Sequence, residues 1–330
     1  MSNKKEAYLC LSAMLRAREP KLLNNDRAQR MLDAGSFEEA AKLLTDCGYA
    51  DMSQMSAKEI EAELAGHRRS VFKELEELSP DRELVDVFRM KYDYHNLKAI
   101  IKAEAMGLSA KSIMSDSGRL DPEELLTIYN EERFTELPPI PAQAVQEAKS
   151  TLARTGNPQL ADFVLDKAYF AELKATAKSA GSAFLEGYAE VLIDSANLKS
   201  AVRTLRMGKD TDFLREVLIP GGKISVDRIV AAGDGDGIAA LFAHSGLDKA
   251  AALGVEAANG GSMTEFELSC DNAVNAYLKG AKLISYGAEA VVSYLAAVEG
   301  EITAVRMILT GRLSGIDPGV IRERLRDLYA

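Results

Sequence analysis

The chain has 330 residues, a net charge of -10, 47% hydrophobic and 27% charged residues. That apolar fraction excludes a disordered polymer, and the length suffices for two or three compact units or one elongated one. The acidic balance disfavours nucleic acid and direct adhesion to anionic lipid, since a binder of either needs a basic surface; a local basic patch remains compatible with it.

The first segment, "MSNKKEAYLCLSAMLRARE", carries two lysines, then apolar residues at helical spacing, then Arg16, Arg18 and Glu19. It reads as an amphipathic helix and not as a signal peptide. No window approaches 18 uninterrupted apolar residues, so no membrane span is expected. "AGSFEEAAKLL" (34–44) resembles half of a tetratricopeptide repeat, with no second half at the right period. The segment 56–79 opens on Ser56 with Glu59 three residues on, the spacing of a capping box, and stops before Pro80. A long helix is predicted over 81–107, from Asp81 to Gly107. Two more follow over 157–180 and 182–208, then another over 262–285, and the last 40 residues continue the pattern. Alternating strand patterns are absent, so the expected fold class is all-α. Breaks at 107–122, 137–143, 219–223 and 258–262 suggest units near 1–110, 111–218 and 219–330.

Those three units share a pattern. "KYDYHNLKAIIKA" (91–103) and "LIDSANLKSAVRTL" (192–205) both place Asp, Asn, Leu and Lys at the same spacing, as Asp93/Asp194, Asn96/Asn197, Leu97/Leu198 and Lys98/Lys199. Ile101-Lys102, Val202-Arg203 and Val305-Arg306 recur at intervals of 101 and 103 residues. The third copy, 294–313, keeps only the later half, with Ala297 and Gly300 where Asp and Asn would stand. Units of this size are too long for tetratricopeptide or ankyrin repeats and read as a triplicated helical domain.

On a helix, Asp93, Asn96, Leu97, Ile100 and Ile101 form one continuous stripe, so the acid and amide sit at the buried end of an apolar face. Such groups need partners, and a helix end or tight turn with orphan N–H groups is a natural one. Lys98 and Lys102 fall on another side and are expected to meet water. A structural role is therefore favoured over catalysis, because a catalytic set would not survive duplication with His95 removed. Other chemistry fails on spacing. "GDGDG" (233–237) lacks the ligands of a calcium loop, with Ala232 and Ala243 at its ends. "PGGK" (220–223) lacks the rest of a phosphate loop. His67, His95 and His244 make no metal spacing, and Cys10, Cys47 and Cys270 are too scattered for anything but reduced thiols.

The segment 7–49, with Tyr8, Arg16-Ala17, Leu22-Leu23, Leu43-Leu44 and Gly48-Tyr49, resembles the start of the C subunit of the V/A-type rotary ATPases, equivalent to the d subunit of the eukaryotic vacuolar enzyme. The segments 91–103, 194–203 and 299–313 resemble that family's three repeats, in order, so the resemblance covers essentially the whole chain. Ala297, Gly300 and a Gly/Ala-rich run over 233–261 depart from the pattern. The resemblance implies three similar helical domains in pseudo-threefold, funnel-like arrangement. It implies a central-stalk connector on the cytoplasmic face of the membrane, joining the D and F subunits of the rotor shaft to the proteolipid ring. It thus implies coupling of ATP hydrolysis or synthesis to proton or sodium transport. It implies no catalytic, cofactor or metal site and no small-molecule substrate; the motif residues Asp93, Asn96, Asp194, Asn197, Lys102, Arg203 and Arg306 would be structural. The alternatives from the residues alone are a soluble helical scaffold unrelated to ion transport, or an enzyme using Asp93 and Asn96.

Overall fold

The computed structural model describes residues 5–330, and among them the backbone is helical or irregular with no strand. In chain order the helices are α1 (Leu9–Arg18), α2 (Asn25–Asp33), α3 (Phe37–Lys42), α4 (Ala57–Leu78), α5 (Glu83–Met106), α6 (Pro122–Asn130), α7 (Pro139–Thr155) and α8 (Pro158–Ala180). They continue as α9 (Ala183–Arg206), α10 (Thr211–Val217), α11 (Val226–Ala232), α12 (Gly235–Phe242), α13 (Asp248–Ala258), α14 (Met263–Lys279), α15 (Ala288–Leu313) and α16 (Pro318–Arg322). The fold is all-α, as the periodicity predicts.

Local chemistry sets many of these boundaries. Ser56 accepts from Glu59 N while Glu59 reaches back to Ser56 N at 2.8 Å, so the capping box exists and satisfies two orphan donors of α4. Proline opens α6, α7, α8 and α16, where its missing N–H is not needed. The helix expected over 262–285 stops at Lys279, and Gly280–Leu283 tightens into a 3₁₀ turn. There the Arg16 guanidinium takes the carbonyls of Ala281 and Ile284 at 2.6 and 3.0 Å, which fixes the chain as it leaves the helix.

The chain forms two compact units: residues up to Val85 together with Gly235–Ala330, and Asp86–Asp234. The first is built around α15, which packs against α1, α2, α3, α4, α14 and α16. Its apolar residues lie on every side, among them Val291, Leu295, Val298, Ile302, Val305 and Ile308, the mark of a helix surrounded by others. Against it α4 lays the stripe Ile60, Leu64, Phe72 and Leu75. Arg68, on that stripe, pairs with Glu299 at 2.8 Å, both nearly buried. The chain's end is tied in as well: Tyr329 accepts from Arg16 and lies within hydrogen-bond distance of Ser293.

In the second unit α7, α8 and α9 pack in sequence. A core beside them joins Leu97 and Ile101 of α5, Leu125 of α6, Val145 of α7, and Ala161 and Leu165 of α8. Lys98 and Lys102 do not simply meet water. They bond Asp166 and Asp162 of α8, the latter at 2.6 Å, because α8 offers its own i, i+4 carboxylates at the same pitch. The pairing runs α5 antiparallel to α8. Both pairs are partly exposed, so each contributes about 0.2–1 kcal/mol.

Leu165 is fully buried in this core. Leu165→Ala is expected to lower stability by about 2–5 kcal/mol, read as a lower urea midpoint at unchanged m-value. An unchanged midpoint would show that α8 does not close the core.

Candidate functional site

The two Asp/Asn helices each clasp the loop that follows them. Asn96 donates through Nδ2 to Ser115 O at 2.7 Å and accepts from Ser115 N at 2.7 Å. Asn197 does the same with Ile219, at 2.7 and 2.8 Å. Four residues further along each loop the aspartate takes over. Asp93 accepts from the backbone N of Arg119 (2.9 Å) and Leu120 (3.2 Å). Asp194 accepts from Lys223 N (3.2 Å) and Ile224 N (3.3 Å). All four side chains are at most 2% exposed. An amide that both donates and accepts satisfies one loop residue's backbone entirely; an acceptor-only carboxylate gathers two successive N–H groups. Helix and loop therefore fit as acceptor to donor, group by group.

Each clasp also contains a glycine at the same place, Gly118 and Gly222. A Cβ on either would overlap the aspartate Oδ1, so only glycine lets the loop close on the carboxylate. The loops "SDSGRL" (115–120) and "IPGGKI" (219–224) thus share one register, with glycine fourth and a cation fifth. The cations act differently. Arg119 Nε bonds Asp93 Oδ2 at 2.6 Å and its Nη1 bonds Glu172 at 2.7 Å, making a buried acid–base–acid row. In the second clasp the bonding cation comes from α8 and not from the loop: Lys174 donates to Gly221 O at 2.5 Å.

The third anchor helix, α15, has Ala297 and Gly300 in the corresponding places and is held by another group. Glu301, 1% exposed, accepts from Leu23 N at 2.5 Å and from the Tyr49 hydroxyl at 2.7 Å. A carboxylate again holds a distant segment by its backbone, here the N-terminal one. Arg306 pairs with Glu61 at 2.7 Å, Lys102 with Asp162, and Arg203 is exposed on α9. The motif residues therefore gather into separate braces and not into one pocket. His95 is exposed, its Nε2 3.0 Å from Ile113 O. No group of three His, Cys, Asp or Glu residues suited to a metal occurs among the described residues.

Residues 11–324 match the family model for the ATP synthase (C/AC39) subunit. The chain belongs to this family. It is similar to the C subunit of the V-type sodium ATPase of Enterococcus hirae, 22% identical over 98% of this chain and 99% of that one. It is similar to the C subunit of the A-type ATP synthase of Methanocaldococcus jannaschii, 24% identical over 97% and 86%. It also resembles the C subunit of the V-type ATP synthase of Thermus thermophilus, 24% identical over 67% and 69%. Among the described residues of this family member, no helix is long and apolar enough to cross a membrane.

Burial raises the carboxyl of Asp194 above the usual aspartate range, and the two loop N–H groups oppose it only in part. Burial likewise raises Glu301, against the pull of Leu23 N–H and the Tyr49 hydroxyl. A carboxyl whose folded value lies above its unfolded one binds more protons folded than unfolded. Its contribution to stability is whole below the unfolded aspartate value of about 3.9 and is lost as pH rises through the folded value.

Two outcomes follow for the clasps. Asn197→Ala leaves the buried N–H and C=O of Ile219 unpaired and is expected to destabilise by about 2–4 kcal/mol in urea unfolding. A change within error would mean the loop holds without the amide. Separately, the stability of the wild type relative to Asp194→Asn is expected to fall as pH is raised from about 4 towards neutrality. A difference that is flat, or that grows with pH, would show that burial does not control this carboxyl.

Proposed function

We propose that this chain is the central-stalk connector of a V/A-type rotary ATPase. It joins the D and F subunits of the shaft to the membrane proteolipid ring, on the cytoplasmic face, and so couples ATP hydrolysis or synthesis to ion transport. The observation that carries this reading is the match along nearly the whole chain to a family whose relatives are named as the C subunits of such enzymes. On this reading the chain does not itself catalyse, and the choice between proton and sodium belongs to the ring. The modules near 1–110, 111–218 and 219–330 are then copies of one helical unit; the two clasps in the same register, at anchor helices 101 residues apart, support this for the first two.

The physics of the braces suits the task. A torque-bearing connector must be stiff, since elastic yield stores free energy that should move ions. Long helices with close-packed flanks resist bending, and loops clasped by buried hydrogen bonds do not flex independently.

The test is a pull-down of the full chain with the D and F shaft subunits and with the isolated ring, each alone and together. Retention of both in one complex is expected. In the assembled enzyme, leaving this chain out is expected to abolish ATP-driven ion transport while the soluble head still hydrolyses ATP. Binding to neither partner, or transport that persists without the chain, would overturn the reading.

A further inference from the structure

Three anchor helices end in one way. At α5, Leu108 N bonds Ala103 O at 2.8 Å and Gly107 N bonds Glu104 O at 3.1 Å. At α9, Lys209 N bonds Thr204 O at 3.1 Å and Gly208 N bonds Leu205 O at 2.9 Å. At α15, Ile316 N bonds Gly311 O at 2.9 Å and Gly315 N bonds Arg312 O at 3.0 Å. In each the glycine takes positive φ, between 62 and 69°. The closed turn fixes the chain and points the neighbouring side chains outward. Ten large apolar side chains are exposed among the described residues, and seven lie at or just past these ends. They are Met106 closing α5 with Leu108 and Ile113 beyond it, Met207 beyond α9, and Leu313 closing α15 with Ile316 and Val320 beyond it.

Within the second unit two of these ends share a side. The pairs Lys98–Asp166 and Lys102–Asp162 run α5 antiparallel to α8, and the turn at Gly181 runs α9 antiparallel to α8. Four residues separate Lys102 from Met106, and four separate Asp162 from Pro158. The ends of α5 and α9 are thus level with the start of α8, and Phe213, beyond α9, packs edge-on against Phe163 of α8. Met106, Leu108 and Met207 are 64, 66 and 55% exposed there, while Ile113, its carbonyl 3.0 Å from His95 Nε2, lies further back along α5. Arg203, Arg206 and Lys209 stand exposed beside Met207, ahead of Asp210 and Asp212, which are exposed as well.

We propose that this end of the second unit is a docking surface for a polypeptide partner that offers apolar side chains rimmed by carboxylates in repeated copies. Resting on the function proposed above, that partner is the ring of identical membrane chains. Rigid apolar anchors, few in number, are what carry affinity at an interface. The arginines and lysine specify an acidic rim by charge complementarity. A feature that recurs behind each anchor helix matches a partner whose own surface recurs. An anionic bilayer is the less suited occupant, because the acidic remainder of the chain opposes it.

The full chain carrying Met106→Ser, Leu108→Ser and Met207→Ser together, and a second variant carrying Arg206→Glu, are to be compared with wild type. Binding is measured to the detergent-solubilised ring, to the D–F shaft, and to protein-free vesicles of anionic phospholipid. Each variant is expected to bind the ring at least tenfold more weakly, with shaft binding unchanged and no vesicle binding by wild type. Arg206→Glu should also flatten the salt dependence. Leu283→Ser, at the most exposed apolar side chain, is expected to leave ring binding unaltered. Circular dichroism checks folding; should the triple variant fail it, Leu108→Ser alone and Arg206→Glu decide. Ring binding equal to wild type, equal loss on Leu283→Ser, loss of shaft binding in place of ring binding, or wild-type binding to vesicles that the same variants remove would each overturn the proposal. Wild type that does not bind the ring at all would instead overturn the function proposed above.

Discussion

A side-chain amide that closes both hydrogen bonds of a single loop residue, deep inside a helical unit, is the interaction on which the second unit depends. Backbone groups buried in an irregular loop cannot use the helical ladder and leave the loop mobile or destabilised unless something meets them. Asn96 and Asn197 meet them within 2.8 Å, and Asp93 and Asp194 each meet two more N–H groups, four and five residues further along the loop. A loop of that kind can cross a core instead of skirting it. The following helices then start from fixed points: Asp121, next after Leu120, caps α6, and Ser225, next after Ile224, precedes α11.

The first unit reaches the same end with other atoms. Its anchor helix has Ala297 and Gly300 at the acid and amide positions, and Glu301 holds the N-terminal segment through Leu23 N and Tyr49. Burial raises both the Glu301 carboxyl and the Tyr49 phenol; the Glu301 carboxylate further opposes ionisation of Tyr49, whereas the Tyr49 hydroxyl, donating to Glu301, favours its charged form. The general rule is acceptor-rich side chains on a buried helix gathering the donors of a segment far away in sequence. Which segment is gathered differs, and with it which parts of the chain belong to one unit.

Helices and their starts are legible in the sequence because their causes are local: Ser56 with Glu59, proline at the first helical position, apolar residues at helical pitch. That Asp93 and Asn96 lie on the apolar stripe, and need partners, is legible for the same reason. The partners are not, because they are backbone N–H groups supplied by residues of any type, 19 to 30 positions downstream. The one visible trace is the shared glycine followed by a cation and an aliphatic residue, at Gly118 and Gly222. "PGGK" fails as a phosphate loop, and its likeness to "SGRL" gains meaning only when both are seen closed on an aspartate. A single helix does not show what faces it, so nothing around Lys98 and Lys102 discloses their partners; the matching pitch of Asp162 and Asp166 becomes visible only once α8 lies alongside. Glu301 does not align with the acid position of the other copies, since it sits one turn beyond Ala297.

The division of labour between amide and acid explains why both types are kept together. A second carboxylate in place of Asn96 could not donate to Ser115 O and would face a carbonyl with an uncompensated charge, costing several kcal/mol in a buried site. An amide in place of Asp93 could not take two N–H groups and Arg119 at once. Arg119 in turn bonds Glu172 as well as Asp93, so the guanidinium neutralises the row that the loop crosses. In the second clasp a lysine stands at the place of Arg119, the aspartate gathers backbone donors, and its bonds are the longer ones, 3.2 and 3.3 Å against 2.9 and 3.2 Å. The first clasp is therefore the tighter of the two. It secures the loop that begins directly behind Met106 and Leu108, so that side chains exposed to water are carried on a loop anchored in the core.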